Sequence, residues 1–240
     1  MQILPNGDIR LPAISIADCD VPLASKGHFS GHVVIGGGAG RITQTESHLE
    51  MNGILCLHYR PDVREVREQV RFDWFDENGE VFSHYFDCVA VHQDGTKTAF
   101  AFKAARFATP KFLRKLGIIR AQAVALKVID DVRVVTEQDL DPTEVHNAWL
   151  LHGMRHPDPE ADARAAEVVG VARGTTRLDE LSGEIGLGAR GKRALFRLIA
   201  AGRLQQAELG RLSPEIRVIC SAAPANDPVP LEDPATDAAA

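Results

Sequence analysis

The runs VREVREQVRFDW (63–74), VFSHYFDCVAVH (81–92) and KTAFAFK (97–103), separated by the turns DENG (76–79) and QDG (93–95), decide the fold of this chain. Each run has the alternating character and the length of a strand, and Asp, Asn and Gly mark tight turns between them. They predict a meander of antiparallel hairpins. On its N-terminal side, ESHLE (46–50) leads into apolar Leu49, Ile54, Leu55 and Leu57, which predicts a helix starting at Thr43 or Thr45. That helix should stop before Arg60-Pro61-Asp62, because proline disfavours helix in its predecessor. Glu46 and Glu50, four apart, would then share a face. On the C-terminal side a helical stretch is expected from Pro110 to about Leu116, followed by strands at Ala121 to Ile129 and Val132 to Glu137. Strands flanked by helices imply an α/β or α+β core.

Further out, the first forty residues are rich in loop-formers, with strand-like pieces at Ala13 to Ile16 and His32 to Ile35, and are expected to form an arm over residues 1–42. After Pro142 the periodicity becomes helical. Helices are predicted over Glu144 to Met154, Asp158 to Val169, Thr176 to Ile185 and Ala189 to Ala201, the third opened by a capping-box pattern Thr176-Arg177-Leu178-Asp179. The last two helices, with Gly186 and Gly188 between them and extended pieces at Leu204 to Leu209 and Glu215 to Cys220 after them, have the outline of a winged helix-turn-helix. The second helix carries Arg190, Lys192, Arg193 and Arg197, which would meet phosphates or base edges in a DNA-binding module. The other reading is a solvated basic face on a protein-binding module.

At 240 residues, 45% hydrophobic and 25% charged, the chain can bury one large core or two small ones. The formal charge is −6, but Asn226 to Ala240 holds four acids and no Lys or Arg, which leaves about −2 on the remainder. Nucleic acid is therefore not excluded as a partner. Cys19, Cys56, Cys88 and Cys220 form no CxxC pair, which suits reduced thiols better than a disulfide frame or zinc site. With no apolar run long enough for a membrane and no signal segment, a cytoplasmic protein is expected.

Two motifs compete for the chemistry. HVVIGGGAGR (32–41) resembles the glycine turn of a dinucleotide fold, but Arg41 stands at the final glycine position and no βαβ series follows, so a glycine-rich connector is the expectation. His152 and His156 are spaced like zinc ligands, yet the HExxH glutamate is missing and Pro157 follows, so they are read as helix-end surface histidines. Against these stand Glu50, Asp87 and Lys103, on a predicted helix and two successive strands. Phosphodiester hydrolysis needs a divalent cation, a polarised water and a cation near the developing charge. Carboxylate oxygens suit Mg²⁺ or Mn²⁺. The bland alternatives are a helix-surface charge for Glu50, a capped strand-end residue for Asp87 and an edge-strand charge for Lys103. Asp87 fits its alternative least, because a carboxylate between Phe86 and Val89 is costly to bury without a partner.

The order ESHLE, RPDVREVREQVRFDW, HYFDCVAV and an apolar strand ending in Lys103, continued in VRVVTEQDLDP and EVHNAWLLHGMRH, resembles the TnsA-type transposon endonucleases of the restriction-endonuclease-like superfamily. The resemblance spans roughly residues 40–156. It implies an α/β fold with a restriction-endonuclease-like mixed sheet core and flanking helices over residues 43–140. Beyond it, the helical pattern read above predicts a helical, winged-helix-like C-terminal domain over residues 141–222, and the Pro- and Asp-rich composition predicts a disordered acidic tail over residues 223–240. The resemblance implies catalytic roles for Glu50, Asp87 and Lys103, with Asp87, Glu50 and the Phe102 carbonyl as ligands of Mg²⁺ (or Mn²⁺). The implied partners are transposon-end DNA, a DDE-type transposase subunit and an ATP-using transposition regulator. One position departs from the family pattern. Ala101 stands where Glu or Gln is usual, two residues before the lysine, and an alanine supplies no oxygen unless water, Glu46, Glu50 or Gln69 substitutes. A catalytically degenerate DNA-binding or assembly subunit is the alternative.

Overall fold

The computed structural model describes residues 2–3, 6–22 and 29–220, so the acidic tail (223–240) lies outside the described residues. The chain divides into two units, Met1–Pro157 with Gly210–Leu212, and Asp158–Leu209 with Ser213–Ala240. In the first, β1 (Gln2–Ile3) pairs with β2 (Ile9–Arg10), and β3 (Gly31–Ile35) with β4 (Arg41–Thr45), both antiparallel. The glycine-rich run is the loop of this second hairpin. Gly36, Gly38 and Gly40 have φ of 89°, 61° and 76°, and a Cβ on Gly40 would collide with Val34 and the Ile35 carbonyl.

The helix expected from Thr43 or Thr45 starts later. Buried Thr43 and Thr45 belong to β4, as β-branched residues favour, and α1 (His48–His58) begins at the N-cap Ser47, whose Oγ accepts the Glu50 N–H at 3.1 Å. Glu46 therefore lies before the helix and shares no helical face with Glu50. The meander forms as β5 (Val63–Phe75), β6 (Val81–His92) and β7 (Lys97–Phe102), and β8 (Asp131–Val135) adds in parallel to β7. Between β7 and β8 run a 3-10 turn (Ala105–Phe107) and α2 (Pro110–Ala125). The strand expected from Ala121 is thus helix as far as Ala125. Ala and Gln favour helix there, and Leu116, Ile119 and Ala123 recur at helical spacing on the buried side. Next, α3 (Pro142–Gly153), capped by Asp141, places Val145 and Ala148 in the core cluster of α1.

The four-stranded sheet separates two apolar layers. Val66, Cys88, Ala90, Phe100 and Phe102 pack with α1, while Phe72, Trp74, Phe86, Val89, Ala99 and Ala101 pack with α2. Strict period two would put Val66, Val70, Phe72 and Trp74 on one face. Instead Val66 faces α1, and the later three lie with the α2 layer. Arg67 and Val70 even line one cavity with Val89 and Val91. The reversal falls at Gln69, whose φ of 48° turns the strand as a bulge does. Across the ladder it falls at Asp87, between Glu68 paired with Cys88 and Val70 paired with Phe86. Gln69 and Asp87 are thus the residues at which the two strands change face.

In the second unit, α4 (Pro159–Val171) precedes β9 (Gly174–Arg177), α5 (Leu178–Ile185), α6 (Ala189–Ala200), β10 (Gln205–Gln206) and β11 (Arg217–Cys220). The strands form an antiparallel sheet in the order β10-β11-β9. The capping interaction sits one residue later than expected, because Thr176 is held in β9. Glu180 accepts from the Arg177 N–H at 3.3 Å and from Thr176 Oγ1 at 2.6 Å. Two of the four α6 cations are neutralised within the unit: Arg190 bonds Asp158 and Glu160, and Arg197 bonds Asp162. The chain is thus a mixed α/β protein with a mixed four-stranded sheet and six α-helices among the described residues. None of those helices is long and apolar enough to cross a membrane. All four cysteines are free thiols, and only Cys19 is exposed.

Candidate active site

Gly53 sets the position of α1. A Cβ there would collide with the Phe102 ring, so only glycine lets this helix press onto β7. One turn earlier, that contact lays Glu50 on the sheet where β5 and β6 reverse face. Glu50 is 2% exposed. Its Oε2 accepts the Glu46 N–H at 2.8 Å and its Oε1 accepts from Gln69 Nε2 at 3.1 Å. No cation bonds it among the described residues. Burial first, then the charge of Asp87, raises its pKa to about 8, against the pull of the Glu46 N–H and the Gln69 amide.

Asp87 is half-buried, and its Oδ2 accepts the Phe102 N–H at 2.6 Å. The β6–β7 ladder ends with Cys88 opposite Phe100, so this side chain satisfies the next free donor of β7. Burial is the main force that raises its pKa to about 6, with the Glu46 charge adding and the Phe102 N–H and Lys103 opposing. Two acids that are each harder to ionise because of burial and of neighbouring carboxylates mark a candidate functional site.

Lys103 follows β7 directly, its N–H donating to the Val135 carbonyl at 2.9 Å. Its ammonium lies 5.6 Å from the centre of the Phe112 ring on α2, yet its charge still favours ionised Asp87. Ala101 is buried in the α2 layer beside Phe72, Trp74 and Ile119. The side chain that reaches Glu50 is Gln69, one of the residues able to supply the oxygen that Ala101 lacks. Its place could not be read from period two, because its own left-handed backbone is what breaks the period.

One strand residue away lies a second buried acid that sequence reasoning missed. Glu68 is 0% exposed, and Arg41 Nη1 bonds both its oxygens at 2.7 and 2.5 Å, Ser15 Oγ adding a bond at 2.7 Å. Arg41 Nη2 also donates to the Val66 carbonyl at 2.8 Å. The residue that spoils the dinucleotide fingerprint thus serves a carboxylate. The N-terminal arm straps β5 at the same level, where the Asp18 N–H donates to the Gln69 carbonyl at 3.1 Å and Asp18 Oδ2 accepts the Arg71 N–H at 2.8 Å.

His152 is buried, not on the surface as its helix-end position suggested, and burial lowers its pKa to about 4. His156 is exposed. Among the described residues no three His, Cys, Asp or Glu side chains are grouped as a metal-ligand set. Glu50 and Asp87 together offer two hard oxygen donors. Such a pair suits Mg²⁺, which keeps several of its waters and commonly takes only one or two carboxylates from the protein. No protein-family model matches the chain, and no curated protein matches it.

Proposed function

We propose that the chain is a metal-dependent DNA endonuclease of the TnsA type, the subunit of a heteromeric transposase that cleaves phosphodiester bonds at transposon ends. The observation that carries this reading is the Glu50–Asp87 pair, two acids on a helix and a strand that are both harder to ionise than usual: burial leads in each, with Asp87 and Glu46 adding to it at Glu50 and Glu46 adding to it at Asp87. A pair left under such repulsion is poised to give up protons to a divalent cation. Glu50, Asp87 and the Phe102 carbonyl would hold Mg²⁺ or Mn²⁺. Bound there, the ion would polarise a water and neutralise phosphate charge. Gln69 orients Glu50 through its amide, and the Phe102 N–H fixes one oxygen of Asp87, leaving the other for a ligand. Lys103 would swing from the Phe112 ring toward the scissile phosphate, where its ammonium offsets transition-state charge. The order β9, α5, α6, β10, β11 supports reading the second unit as a winged helix, from which Lys192 and Arg193 remain to meet DNA. A DDE-type transposase would cut the opposite strand, and an ATP-using regulator would engage the C-terminal region.

A second reading, a degenerate subunit that binds DNA or assembles the complex without cutting, is favoured by one observation. Ala101 lies in an apolar layer and brings no oxygen to the pair. Nicking of transposon-end DNA in Mg²⁺ or Mn²⁺, with the transposase present, separates the two. The nuclease reading expects cleavage by wild type and a loss of at least about 100-fold in Asp87→Ala and in Lys103→Ala, the scale of removing one group that stabilises transition-state charge. Equal inactivity of all three with DNA binding intact selects the degenerate subunit.

A further inference from the structure

The most one-sided charge in the molecule lies outside the carboxylate pair. Between Gly95 and Ile129 the sequence has eight Lys or Arg residues and no Asp or Glu, whereas the remainder of the chain holds 19 basic against 33 acidic residues. In the folded chain Arg106, Lys111, Arg114 and Lys115 are exposed on the 3-10 turn and the first half of α2. Lys111, Arg114 and Lys115, spaced i, i+3 and i+4, lie on one side of the helix, beside the row Phe112, Leu116, Ile119 and Ala123 that packs on the sheet.

Aromatic rings interleave with these charges. The Lys103 ammonium lies 5.6 Å from the Phe112 centroid, the Arg106 guanidinium 4.8 Å from Phe107, and the Lys115 ammonium 5.4 Å from Trp74. Phe107 itself is 54% exposed. On α6 the fold supplies acids against Arg190 and Arg197, but Lys111 and Arg114 form no ion pair among the described residues. Like charges one turn apart repel, so folding alone gains nothing from this stripe, whereas a polyanion laid along it gains from each cation.

We propose that this face of α2 is a docking surface for the phosphate backbone of a DNA duplex, continuous with the Glu50–Asp87 pair through Lys103. The choice of DNA among polyanions rests on the nuclease reading; the surface itself rests on its charge. Each phosphate neutralised releases counterions, so the stripe contributes a measurable part of the salt dependence of binding.

The test is fluorescence anisotropy of a labelled duplex titrated with the full chain in EDTA across a salt series, comparing wild type with K111Q/R114Q/K115Q. These side chains are exposed, so the variant should melt with wild type. The expected result is binding weakened by about 10- to 100-fold and a log K against log salt slope reduced in magnitude by about 2 to 3, near 0.9 per lost phosphate contact. Unchanged affinity and slope overturn the assignment, as does a wild-type chain that does not bind the duplex. Neither outcome is confused with failure of the nuclease reading. Nicking and its loss in Asp87→Ala report that separately, and EDTA removes cleavage from the binding assay.

Discussion

Glu50 and Glu68 are both acids shut away from water in the same unit, within reach of the same reversal of β5, and the fold treats them in opposite ways. Glu68 receives Arg41 on both oxygens and Ser15 besides, so its charge is matched inside the protein. Glu50 receives a backbone N–H and an amide, and the charges of Asp87 and Glu46 both raise its pKa. Burial alone does not make an acid functional. A buried charge that is paired holds an architecture together, and one left beside another carboxylate stores a cost that a ligand can relieve.

The comparison breaks most directly at Arg41. Arg41→Ala should leave Glu68 buried without its cation and destabilise the chain by about 3–5 kcal/mol in urea denaturation at neutral pH. A loss under about 1 kcal/mol at neutral pH would mean that Glu68 and Glu50 differ less than their partners suggest.

Glu50→Gln sharpens the other half. Glu50 ionises near 4.5 when unfolded and near 8 when folded, so its stabilising contribution is full below about pH 4.5 and is lost as pH rises through about 8. Without added metal the variant should match wild type near pH 5 and exceed it at pH 9 by about 2–4 kcal/mol, since each tenfold change in proton affinity is worth about 1.4 kcal/mol. Equal stability at both pH values would show that Glu50 carries no stored cost.

The meander and the helix after it were legible because turn chemistry and alternation agree in DENG, QDG and the runs around them. Glu50, Asp87 and Lys103 could be singled out from the order of elements. Four features could not be read, each for a physical reason. Thr43 and Thr45 looked like the start of a helix because the strand they join, β3, lies across a glycine loop. Ala121 to Ala125 looked like a strand because it opens a short, mostly apolar run to Ile129, a pattern that helix and strand share. The partnership of Arg41 with Glu68 joins two hairpins and leaves no local trace, and the left-handed turn at Gln69 overrides the alternation on which any reading of β5 depends.

The central claim, that Glu50 and Asp87 form a divalent-cation site, is tested most directly by calorimetric titration of the full chain with Mn²⁺ at pH 7 in buffers of different ionisation enthalpy. At that pH Glu50 is mostly protonated and Asp87 mostly ionised. Binding should therefore release about one proton per ion, because the ligands must deprotonate. Asp87→Asn should abolish binding, and Glu50→Gln should weaken it and remove the proton release. Absence of Mn²⁺ binding, or binding of equal strength in Asp87→Asn, would contradict the account.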